Sequence, residues 1–120
     1  MDFFDLFIQL IHILIFGLFL IYIGIVIPEQ DWIYWIAFSI GLFLPIYWIA
    51  TFHKQDIFWI IWHCLVAIFL LWIGIQKHDS PDFIFRVILM LGILAIGYHF
   101  TRMVQMIFTD KKKDKDDEGE

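Results

Sequence analysis

Four long apolar blocks, parted by three short polar turns and followed by a charged tail, set the pattern of this chain. The blocks cover about residues 6–27, 32–52, 57–75 and 83–108, with the last leaving the apolar region near Thr101-Arg102. Each is close to the ~20 residues that a helix needs to cross a hydrocarbon core. A backbone in lipid must satisfy its own N–H and C=O groups, so each block is predicted to be an α-helix. Pro28 stops the first, and Pro28-Glu29-Gln30-Asp31 turns the chain. His53-Lys54-Gln55-Asp56 forms the second turn, and residues 76–82, with Ser80-Pro81, form the longest connection. Asp5, Asp31, Asp56 and Asp82 each precede a block and read as N-caps. Pro45 inside the second block predicts a kink.

The pattern occurs twice. Residues 5–12 read D-L-F-I-Q-L-I-H and residues 56–63 read D-I-F-W-I-I-W-H. Asp5/Asp56, Phe7/Phe58 and His12/His63 match at a spacing of 51. The spacing then drops by one, to 50, at Phe19-Leu20/Phe69-Leu70 and Ile23-Gly24-Ile25/Ile73-Gly74-Ile75. It returns to 51 for Asp31-Trp32-Ile33/Asp82-Phe83-Ile84, Gly41/Gly92 and Tyr47-Trp48/Tyr98-His99. Coincidences of Asp, His, Gly and Tyr are harder to obtain by chance than those of apolar residues. The expected fold is an all-α integral membrane four-helix bundle made of two parallel two-helix hairpin repeats, 1–54 and 55–108. Two helices per unit bring both units in from the same side, about an axis along the membrane normal. Residues 109–120, T-D-K-K-K-D-K-D-D-E-G-E, hold no apolar side chain and are expected to form a disordered charged tail.

Composition sharpens this picture. With 62% hydrophobic residues and a mean hydropathy of +0.81, a soluble domain of 120 residues could not hide its apolar surface. The net charge of −5 sits in the turns and tail, and no basic patch points to nucleic acid. Cys64 stands alone, so there is no internal disulfide. The acidic start, Met1-Asp2-Phe3-Phe4-Asp5, does not resemble a cleaved leader, so the first block is expected to remain as a span. Lys54, Arg102, Lys111–Lys113 and Lys115 outnumber Lys77 and Arg86 across the expected spans, which predicts both termini in the cytosol.

Ionisable groups inside a membrane mark candidate chemistry. His12, His63 and His99, with Gln9, Tyr47 and Tyr98, are expected in one polar layer near the cytosolic face. Imidazoles there serve either as hydrogen-bonded ties between helices or as metal or haem ligands. His63 and His99 are the pair considered for haem. The first unit has Trp48 where the second has His99, which disfavours two equal redox sites. His63 and Cys64 are neighbours about 100° apart on a helix and do not face each other. There is no Ser-His-Asp set, CxxC pair or phosphate-cradling glycine loop.

The segments D-I-F-W-I-I-W-H, F-L-L-W-I-G-I and L-F-L-P-I-Y-W, with the Lys/Asp tail, resemble small multi-pass membrane proteins of large DNA viruses that infect algae and protists. The resemblance brings no activity and no site residue. The expectation is a non-enzymatic multi-pass protein, structural or interaction-mediating, without a resident cofactor. Its partners are the bilayer and either further copies of itself or another membrane protein. The alternatives are a haem- or metal-binding electron carrier and an oligomeric ion or proton channel.

Overall fold

The computed structural model describes residues 3–118 and is all-helical over its long elements. The first rod comprises α1 (Phe3–Ile11), a six-residue π-helical turn (His12–Gly17) and α2 (Leu18–Val26). Next come α3 (Asp31–Ala50), α4 (Ile57–Gln76) and α5 (Asp82–Glu118). Short 3₁₀ turns at Phe52–Lys54 and Lys77–Asp79 lead into α4 and α5. Four helical stretches, of 24, 20, 23 and 32 residues, are long and apolar enough to cross a membrane. Their outer surface is not one that water would favour: Ile25, Ile46, Ile61 and Ile75 are all more than 60% exposed.

Local chemistry explains how the helices end. Asp56 caps α4, its carboxylate accepting from the Phe58 amide at 3.3 Å. The other aspartates differ from the cap expectation. Asp31 and Asp82 are the first residues of their helices, and Asp5 lies inside α1. There a carboxylate still meets the positive end of the helix dipole. The Asp31 carboxylate also pairs with the Lys77 ammonium at 3.3 Å. At the far ends of α2 and α4 the chain turns through Ile27 (φ 51°) and Lys77 (φ 56°). Each donates its N–H back into the last turn, Ile27 to Ile23 and Lys77 to Ile73. This left-handed stop uses no glycine, although an L side chain is disfavoured there.

α5 runs on past Thr109, where the charged tail begins, to Glu118; residues 119–120 lie outside the described residues. No proline or glycine interrupts residues 98–118, so nothing in the backbone ends the helix.

By internal contacts the chain forms two compact units. One joins the N-terminal part up to Ile21 with the part from Met90 onward; the other is Tyr22–Leu89. The Tyr22–Leu89 unit buries Ile23, Ile33, Tyr34, Ala37, Leu70 and Ile73 almost completely. The buried Tyr34 hydroxyl donates to the Pro28 carbonyl, which ties the turn to α3. Helix contacts run through glycine. A Cβ on Gly74 would stand 2.6 Å from the Phe38 Cβ, and one on Gly24 would stand 2.6 Å from the Leu89 Cβ. In the same unit, a Cβ on Gly41 would meet the Leu71 amide nitrogen at 3.1 Å and the Ala67 carbonyl at 3.2 Å. In the terminal unit, a Cβ on Gly92 would meet the Ile21 nitrogen at 3.0 Å and the Gly17 carbonyl at 2.9 Å. Small residues let helix backbones approach to these distances.

Candidate functional site

The terminal unit carries the polar cluster. Gln9 lies on α1, His12 opens the π turn, and His99 lies on α5. Gln9 and His12 are three apart, so they share a stripe. The His99 Nδ1–H donates to the Gln9 side-chain oxygen at 2.5 Å. The His12 and His99 rings lie 4.4 Å apart, 31° from parallel. The His12 Nδ1–H donates to the Ile8 carbonyl at 2.8 Å.

The Tyr22–Leu89 unit holds the matching histidine. The His63 Nδ1–H donates to the Trp59 carbonyl at 2.7 Å, four residues back, as His12 does to Ile8. Its ring stacks on Trp48 at 3.9 Å, 17° from parallel. Trp48 and His99 are 51 residues apart, and so are His63 and His12. One unit thus stacks imidazole on imidazole, and the other stacks imidazole on indole. Ile60 stands 51 residues after Gln9, so the second stack lacks the amide.

The acceptors fix the tautomers. A carbonyl oxygen can only accept, so the proton of each neutral ring sits on Nδ1 and the lone pair on Nε2. Metal-bound histidine is commonly held by an Nδ1–H bond of this kind. Among the described residues, no group of three or more His, Cys, Asp or Glu side chains could hold a metal ion. His63, the third expected ligand, lies on α4 in the Tyr22–Leu89 unit, stacked on Trp48.

Tyr47 is 46% exposed and stacks on Phe43 at 5.9 Å. Tyr98 is 42% exposed and sets its edge on His99 at 5.1 Å. Gln9, on α1, bonds His99 on α5. Among the described residues, no buried side-chain nitrogen or oxygen lacks a hydrogen-bond partner.

The π turn was not anticipated, but its trace is in the sequence. From His12 to Gly17 is five residues, and from His63 to the matching Ala67 is four. A π turn closes over one residue more than an α turn. The wider turn absorbs the extra residue, which would otherwise rotate everything beyond it by about 100°. Gly17 thereby stays buried against Ile96 and Gly92. No family model, curated protein or solved structure matches the chain.

Proposed function

We propose that this is a multi-pass membrane protein whose work is structural: a duplicated pair of two-helix hairpins, 1–54 and 55–108, tied inside the bilayer by its histidines. The observation that carries the structural role is the fate of the ring N–H groups. Each of the three ends on an acceptor of the protein itself. In hydrocarbon an unsatisfied donor costs several kcal/mol, so these bonds hold local geometry firmly.

Duplication is supported by contacts that recur at the sequence spacing. Gly24 on Leu89 answers Gly74 on Phe38, and Gly92 on Gly17/Ile21 answers Gly41 on Ala67/Leu71. Each contact joins the first helix of one hairpin to the second helix of the other. The left-handed stops at Ile27 and Lys77 recur in the same way. The lysine and arginine distribution supports cytosolic termini.

An absorption spectrum and metal analysis of the purified protein test the structural role. No Soret band and no stoichiometric metal are expected. A band or a metal that His63→Ala or His99→Ala removes would overturn it. Protease accessibility of tags at both ends in sealed vesicles tests the topology, and protection of either tag on the cytosolic side refutes it.

A further inference from the structure

The π turn lies between two different kinds of contact. On its C-terminal side, Gly17 is locked against Ile96 and Gly92. On its N-terminal side, α1 buries no residue, and Gln9 and His12 meet His99. The matching helix, α4, is a regular α-helix throughout, with Ile60 and Trp48 at the matching places. The wider turn and the amide–imidazole bond therefore occur in the same half and are both missing from the other.

We infer that the π turn is a rotary joint on which α1 turns against α5, with Gln9 and His99 as its latch. If the turn closes as ordinary α-helix, the residue four before Gly17 becomes Ile13. Ile13 then takes the place of His12, Leu10 takes that of Gln9, and Leu6 takes that of Asp5. The segment turns by about 100° while the Gly17 contact stays in place. A polar face of α1 is exchanged for an apolar one. The polar face bonds His99; the apolar one packs on α5 but takes Gln9 away from the His99 N–H, and that cost keeps the joint latched in the native chain. Such two-state elements convert a small local change into a larger movement. The inference rests on the duplicated reading for the match of His12 to His63, and on the Gln9–His99 bond for the latch.

The test uses the full chain in bilayers, with a benzophenone photo-crosslinker in place of Ile13. Ile13 is part-buried beside His12 in the latched state, so the otherwise native chain sets the baseline yield of each crosslink. Gln9→Ala opens the latch, and the yield of one defined crosslink to α5 should rise several-fold, while α1 amides remain protected from hydrogen exchange. Faster amide exchange without that crosslink would mean that α1 merely frays, and would overturn the joint. Deleting Leu14 gives His12 the four-residue spacing of His63 and removes the joint. The shortened chain should keep the His99–Gln9 bond, seen as the His99 ring N–H resonance, and Gln9→Ala in that background should no longer produce the crosslink. Loss of the bond on deletion, with the crosslink still induced in the full-length chain, would count against the duplicated alignment and not against the joint. A crosslink that persists after the deletion would overturn the joint.

Discussion

Gly74→Ala isolates the helix contact on which the larger unit depends. The new Cβ would stand 2.6 Å from the Phe38 Cβ, 2.9 Å from its Cα and 3.1 Å from its N. Two of those atoms are backbone, so no rotamer change relieves the clash. Ordinary carbon contacts lie at 3.5–4.0 Å, so α3 and α4 must part by about 1 Å. Overpacking of this kind costs about 1–3 kcal/mol, and parting the helices also weakens neighbouring contacts. Alanine gains up to about 1 kcal/mol in helix propensity, which offsets part of the loss. Gly97 is the internal control, because a Cβ there meets nothing within 4 Å. Gly97→Ala should therefore gain the propensity alone. The two variants should differ by about 2 kcal/mol or more, read by circular dichroism during denaturation in mixed micelles. Gly24→Ala should cost about as much as Gly74→Ala, because its Cβ would stand at the same distances, 2.6 and 2.9 Å, from the Cβ and Cα of Leu89. The packing argument fails if Gly74→Ala is as harmless as Gly97→Ala. The matched-contact argument fails if only one of Gly24 and Gly74 matters.

Three further outcomes are expected in the same assay. Ile27→Gly should raise stability by up to about 1 kcal/mol, because glycine has no Cβ to resist a positive φ; a loss would show that the Ile27 side chain packs usefully there. Tyr34→Phe removes a buried hydroxyl from the Pro28 carbonyl and should cost about 1 kcal/mol. An unchanged midpoint would mean that Tyr34 does not anchor the turn, as Phe85, 51 residues on, has no hydroxyl to do. Asp31→Asn breaks a partly exposed ion pair with Lys77 and should cost well under 1 kcal/mol, an effect that fades in high salt. A large or salt-insensitive loss would contradict that reading.

The number and class of the long apolar helices follow from the chain alone. Blocks of about 20 apolar residues, with prolines and aspartates between them, leave the backbone few alternatives to helix. The spacing that suggests duplication is read there too, with its drop from 51 to 50. His12, His63 and His99 stand out because imidazole is rare amid such residues. Periodicity did not reveal which side chains meet. A linear spacing says nothing about which helix a stripe faces, so the bond from His99 to Gln9, 90 residues away, had to come from tertiary packing. Tyr47 and Tyr98 are left 46% and 42% exposed, which rotation about the helix axis decides and linear spacing does not. The missing residue in the spacing could equally have been a kink, a loop or a face change. Packing settled it as a π turn, because Gly17 has to remain against Ile96 and Gly92 while His12 remains on His99.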